Sequence, residues 1–153
     1  MSSCSFLQKK DGEIHFGRRD INSVENSLDL NFNIDNYKYL SLRFRNFWST
    51  ANYDNVLFSL KNDGMRELTD HSKLDFDPNT NFNLWNLDLN FDWWFSPGST
   101  ITLQYKNQIF NRDNESGLKY YKSLKNLFEF PVEHQLSLRI NYLIDFNKLR
   151  RND

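Results

Sequence analysis

Between Leu84 and Phe95 the chain alternates almost without interruption. Trp85, Leu87, Leu89, Phe91, Trp93 and Phe95 carry odd numbers; Asn86, Asp88, Asn90, Asp92 and Trp94 carry even ones. Successive side chains of a strand point to opposite faces, so this period fixes a β-strand with one apolar and one polar side. A helix would scatter the same apolar residues around its circumference. The pattern recurs. Leu28, Leu30, Phe32 and Ile34 stand against Asp29, Asn31, Asn33 and Asp35. After a turn at Asp35-Asn36, Leu40, Leu42 and Phe44 stand against Ser41, Arg43 and Arg45, and this strand is expected to run on through Trp48 and Tyr53 towards Leu60. Ser96-Pro97-Gly98-Ser99 predicts a tight turn, with proline at its second position and glycine where φ must be positive. The return strand sets Ile101, Leu103, Tyr105 and Ile109 against Thr102, Gln104, Lys106 and Gln108. A last strand sets Leu136, Leu138, Ile140, Tyr142, Ile144 and Phe146 against Ser137, Arg139, Asn141 and Asp145.

The connections alternate short and long. Lys61 to Asn81, with Asp63-Gly64 and Pro78, reads as a long polar loop. Asn111 to Glu133 reads as a second one. It holds a short helical pattern, with Leu118, Tyr121, Leu124 and Phe128 on one side and Lys119, Lys122 and Lys125 on another. Outer-membrane barrels have short periplasmic turns and long extracellular loops. The fold expected is therefore all-β: an antiparallel meander of five or six strands over residues 1–153, the C-terminal strands of a transmembrane β-barrel, with one short helix in a long loop. Because barrels close with at least about eight strands, the isolated segment should be an open sheet.

Composition agrees with a one-sided sheet. The chain has 14 Phe, 7 Tyr and 4 Trp, yet its mean hydropathy is −0.74. Asn and Asp are abundant within the strands, where they are ordinarily depleted. A net charge of −1 gives no basic field, so nucleic acid is not an expected partner. Cys4, the single cysteine, cannot form an internal disulfide. No apolar run is long enough for a membrane-spanning helix, a test to which β-strands are blind. The opening residues lack a basic segment followed by an apolar one, so the chain is expected to begin inside a larger, exported protein.

Alternation alone leaves a soluble antiparallel sheet, such as a carbohydrate- or ligand-binding module, open beside the barrel. The aromatic spacing favours the barrel. Trp85 and the Trp93–Phe95 pair bracket the apolar side of one strand. Ten residues at about 3.3 Å each, tilted about 40°, span roughly 25 Å of membrane normal. On this reading Trp48, Trp85, Trp93, Phe95, Tyr142 and Phe146 lie at the membrane interface. Asp29, Arg43, Arg45, Asp88, Asp92, Lys106, Arg139 and Asp145 line a hydrated interior. Parity requires a three- or five-residue loop, or a bulge, near Pro97. It also places Lys106 opposite Asp88 or Asn90, and Arg43 or Arg45 opposite Asp29.

Three stretches carry a family resemblance. They are Ile14-His15-Phe16-Gly17-Arg18-Arg19-Asp20-Ile21-Asn22-Ser23-Val24-Glu25-Asn26, then Leu42-Arg43-Phe44-Arg45-Asn46-Phe47-Trp48-Ser49, then Trp94-Phe95-Ser96-Pro97-Gly98-Ser99 with Tyr105-Lys106-Asn107-Gln108-Ile109. The ending Tyr142-Leu143-Ile144-Asp145-Phe146 fits as well. Together they resemble the C-terminal barrel of an uncharacterised Gram-negative outer-membrane family, whose full-length members carry an N-terminal domain similar to family-nine carbohydrate-binding modules. Asn46-Phe47 stands where the family pattern has His-Tyr. The resemblance implies outer-membrane lipid and the remaining barrel strands as partners, with carbohydrate reached only through that further domain. It implies no reaction and no catalytic residues.

The residues offer little independent chemistry. Asp29, Asp88, Asp92 and Asp145 are candidates for an acid-base pair, against a plainer role in charge ladders with Arg43, Arg45, Lys106 and Arg139. Catalysis would need convergent geometry; a barrel enzyme with its site at the extracellular rim is the remaining alternative. Asp75, Asp77, Asn79 and Asn81 alternate like a calcium loop, but Thr80 stands where such a loop needs glycine and Asn86 where it needs glutamate. His15, His71 and His134 have no ligand-like spacing. No metal, cofactor or enzymatic activity is expected. Lys119, Lys122 and Lys125 form a basic stripe that suits solvent or anionic headgroups.

Overall fold

The computed structural model describes residues 2–10 and 12–144; Asp145 and Phe146 lie outside them. The elements in order are β1 (Ser2–Lys10), β2 (Glu13–Asp35), β3 (Lys38–Leu60), β4 (Arg66–Thr69), a 3-10 turn (His71–Lys73), β5 (Thr80–Ser96), β6 (Ser99–Asp113), α1 (Tyr120–Leu127) and β7 (Glu133–Asn141). The strands form one antiparallel sheet in the order β1-β2-β3-β5-β6-β7, and β4 pairs with β3 beside this path. It is a meander, and β1 and β7 end it without pairing to each other, so the sheet is open.

Seven strands replace the five or six expected. The extra strand at the start, β1, carries no clean alternation. Its register against β2 slips between Phe6, opposite Phe16, and Gln8, opposite His15. A one-residue slip turns every later side chain to the other face, which erases a period-two signal. The second addition, β4, lies within the expected loop, with Leu57 to Leu60 of β3 opposite Thr69 to Arg66. At four residues it is too short to show a period. The last strand stops at Asn141, short of the expected Phe146.

Both tight turns are two-residue connections, Asn36-Tyr37 and Pro97-Gly98. Gly98 has φ 74°, as the third position of a type II turn demands. The longer loop expected there is not found. Asp92 and Thr102 nonetheless hydrogen-bond across the hairpin at 2.6 Å, so residues of like parity share a side. Ser96 and Ser99, which end and begin the strands, have unlike parity. The one-residue irregularity therefore lies within the strands, near the turn.

The chain divides into two compact units. Unit 1 comprises Met1–Glu25, Asn46–Leu84 and Phe110–Pro131; unit 2 comprises Asn26–Arg45, Trp85–Ile109 and Val132–Asp153. In unit 1 the buried apolar residues are Trp48, Tyr53, Leu57 and Leu127. They sit among many more buried polar ones, including His15, Asn46, Asn81, Asn83, Asn111 and Ser123. In unit 2 only Ile109 and Ser99 are fully buried among the described residues, and Leu28, Leu30, Phe32, Ile34, Leu136, Leu138 and Ile140 stand exposed.

Candidate functional site

The polar residues of unit 2 come together as a ladder. The Arg43 Nε donates to Asp29 Oδ1 at 2.6 Å, and the Tyr39 hydroxyl donates to Asn31 Oδ1 at 2.6 Å. Asn90 Nδ2 donates to Ser41 Oγ at 3.4 Å. A groove of about 600 Å³ runs along Asp29, Arg43, Arg45, Asp88, Asn90 and Lys106. A smaller groove of about 310 Å³ shares Arg45, Asp88 and Lys106 and adds Glu133 and His134. Five of the eight polar residues singled out in the sequence thus border one surface, and Arg43 meets Asp29 as parity required. The other three separate. Asp92 accepts from Thr102, Arg139 lies on β7 opposite Thr102, and Asp145 is outside the described residues. The Arg43–Asp29 pair is more than half exposed on both sides, so water screens it.

The two turns of unit 2 gather aromatic side chains. Trp93 and Phe95 meet edge to face at 5.9 Å, and Phe95 stacks on Tyr142 at 6.3 Å. Lys38 Nζ lies 5.9 Å from the centre of the Trp93 ring. At the turn itself, Asp35 accepts from the Tyr37 amide at 2.7 Å and from Lys38 Nζ at 3.0 Å. These two donors, the amide first, hold the Asp35 carboxyl below the usual carboxylate range. Further along β5, Trp85 packs on Phe44 with ring centres 4.4 Å apart.

Trp48 does not join that belt. It is 6% exposed, and its indole Nε1 donates to Asn81 Oδ1 at 3.0 Å inside unit 1. Its place as an interfacial aromatic is corrected accordingly, because a ring enclosed and bonded within the fold presents no face to a bilayer. Phe146 is outside the described residues.

Around Trp48 lies a network the sequence reading missed. Asn46 Nδ2 donates to Asn83 Oδ1 at 3.1 Å and to the Leu84 carbonyl at 2.9 Å, and Asn46 Oδ1 accepts from the Tyr120 hydroxyl at 2.8 Å. Asn83 Nδ2 donates to Ser123 Oγ, which donates to Asn81 Oδ1, both at 3.2 Å. Asn81 Nδ2 reaches Asp113 at 3.1 Å, and Asn111 Nδ2 reaches it at 2.7 Å. Helix α1 is fastened to unit 1 through this network. Its buried side chains are Ser123 and Leu127, while Tyr121 is 82% exposed and Phe128 is exposed too. The helix is where the sequence places it, but the face it buries is that of Ser123 and Leu127 rather than that of Tyr121 and Phe128. Lys119, Lys122 and Lys125 are exposed.

One signal could have found the network. Asn46 and Trp48 share the parity of Leu40, Leu42 and Phe44; Asn81 and Asn83 share that of Trp85 and Leu87; Asn111 and Asp113 share that of Ile101 and Leu103. In unit 1 the polar set takes the parity that the apolar set holds in unit 2. The expected calcium-like alternation belongs to the same set. Asn79 Oδ1 accepts the Tyr53 amide at 2.9 Å, and Asn81 Oδ1 accepts from Trp48 Nε1 at 3.0 Å. Among the described residues no group of three or more metal-ligating side chains occurs.

Searches of the curated proteins and of the solved structures each returned no match. Residues 1–152 match the family described as a domain of unknown function, DUF5916. That match takes in nearly the whole chain, both units included, and the chain belongs to this family.

Proposed function

We propose that the chain is part of an outer-membrane β-barrel of a Gram-negative bacterium, serving a transport or surface-binding role without catalysis. The observation that carries this is the apolar row of unit 2. Leu28, Leu30, Phe32 and Ile34 on β2, and Leu136, Leu138 and Ile140 on β7, are all about half exposed or more, with Phe32 at 63% and Leu136 at 72%. Each alternates with polar neighbours. Water is a poor solvent for apolar rows so exposed, whereas lipid accepts them. Trp93, Phe95 and Tyr142 cluster at the turns, where amphipathic rings suit the boundary between hydrocarbon and headgroups. The Asp29–Arg43 ladder suits a hydrated interior, in which charges pair without being dried. The finer resemblance, to outer-membrane proteins with a carbohydrate-binding-like N-terminal domain, belongs to the same proposal, with any sugar contact assigned to that domain.

Membrane fractionation of the protein expressed from its complete gene tests the reading. Heat-modifiable migration in the outer-membrane fraction is the expected result. Protein that stays soluble sinks the proposal, and the apolar row then needs a second layer of protein over it.

A further inference from the structure

Between the two turns of unit 2 lies a groove of about 590 Å³. Trp93, Trp94 and Phe95 from one hairpin and Tyr37 from the other are among its lining residues. Tyr37 and Trp94 are 64% and 59% exposed. Two opposite charges stand in the same groove, Asp35 and Lys38, 3.0 Å apart. Neither is saturated. An ammonium has three protons, of which Lys38 directs one to Asp35. The Asp35 carboxylate accepts from the Tyr37 amide, the Lys38 amide and Lys38 Nζ, which leaves it one of about four acceptor positions. A ligand with a negative charge alone would meet Asp35, and one with a positive charge alone would meet Lys38. The groove is complementary to a body that carries both charges close together and an apolar remainder.

Resting on the membrane reading above, we infer that this groove holds a zwitterionic aminophospholipid. The phosphodiester pairs with Lys38. The primary ammonium donates to Asp35 and lies against the electron-rich faces of Trp94 and Tyr37. The glycerol and first acyl carbons follow Trp93 and Phe95 towards the apolar row. Lys38, already placed near the Trp93 ring, marks where phosphate ends and hydrocarbon begins.

Native mass spectrometry of the full-length protein, extracted from outer membranes in mild detergent, tests this with phosphatidylethanolamine and phosphatidylglycerol as probes. Wild type should retain phosphatidylethanolamine and release phosphatidylglycerol. Lys38→Gln and Asp35→Asn should each lower phosphatidylethanolamine retention by about tenfold, the loss of one charge-assisted contact. Lys125→Gln, a charge lost from α1, should retain it as wild type does. Should the charge variants fail to show heat-modifiable migration, Trp94→Ala, which removes only an exposed ring, must show the same direction of loss. Retention indifferent to Lys38 and Trp94, or equal for both lipids, overturns the inference while the membrane reading stands. Protein absent from the outer membrane overturns both.

Discussion

Asn46 and Asn90 are the same residue type on the long strands β3 and β5, and their surroundings differ in almost every respect. Asn46 in unit 1 is 1% exposed and makes three hydrogen bonds, to Asn83, Leu84 and Tyr120. Asn90 in unit 2 is half-buried and donates to Ser41 at 3.4 Å, beside an open groove. Unit 1 has dried its polar side chains and must satisfy each of them internally. Unit 2 leaves its polar ladder to water and its apolar row uncovered. Alternation of polar and apolar residues therefore does not say which side of a sheet is enclosed; the elements packed against it decide that.

The largest test of this contrast is a matched pair of substitutions. Asn46→Leu removes the three hydrogen bonds to Asn83, Leu84 and Tyr120 from a buried site, and should cost about 2–4 kcal/mol in urea unfolding of the refolded full-length protein. Asn90→Leu should cost less than about 0.5 kcal/mol in the same measurement, as surface changes do. Equal losses would erase the distinction between the units.

The turns give a second pair. At Gly98 a side chain would be strained by the positive φ and would stand 2.6 Å from Leu143 Cδ2. Gly64 has φ +82° but open space around it. Gly98→Ala should lower stability by about 1–3 kcal/mol and Gly64→Ala by about 1 kcal/mol. The difference between the two melting temperatures isolates the Leu143 contact.

Smaller effects belong to the exposed ion pairs. In unit 2, a double-mutant cycle on Asp29 and Arg43 should return a weak coupling that disappears in about 1 M salt. A coupling indifferent to salt would mean that this ladder is enclosed after all. Smallest of all is the Lys61–Glu67 pair of unit 1, 2.7 Å apart and exposed. The Lys61 ammonium holds the Glu67 carboxyl below its ordinary range. A depressed carboxylate stabilises the fold above its unfolded pKa, and that contribution is lost as pH falls through the folded one. Glu67→Gln should therefore shift the urea midpoint near neutral pH and leave it unchanged at a pH low enough to protonate Glu67 in both the folded and the unfolded state. A shift of equal size at both would assign the effect to packing rather than charge.

Where alternation was long and uninterrupted, sequence and structure coincide. The run from Trp85 to Phe95 lies within β5, the Pro97-Gly98 turn has the required positive φ, and Arg43 meets Asp29. Legibility failed where the period slips or the segment is short. The offset between Phe6 and Gln8 hid β1, and four residues could not announce β4. The network around Asn46 failed for another reason. Its only mark in the sequence is the change of parity, and it takes Ser123 and Tyr120, arriving from a distant helix, to make it an interior. Trp48 was misplaced by the same omission.

The side of β7 that pairs with no other strand among the described residues works as a combination lock with a two-residue pitch. Its paired side sets Leu136, Leu138 and Ile140 opposite Tyr105, Leu103 and Ile101, and Ser137 and Arg139 opposite Gln104 and Thr102. Any strand that joins from the other side must repeat that order to keep apolar beside apolar. It can slide by two residues and still fit, but a slide of one sets its apolar residues beside Arg139. Admission to this edge is thus governed by odd or even, and a single inserted residue in the joining strand is a wrong key of the right composition.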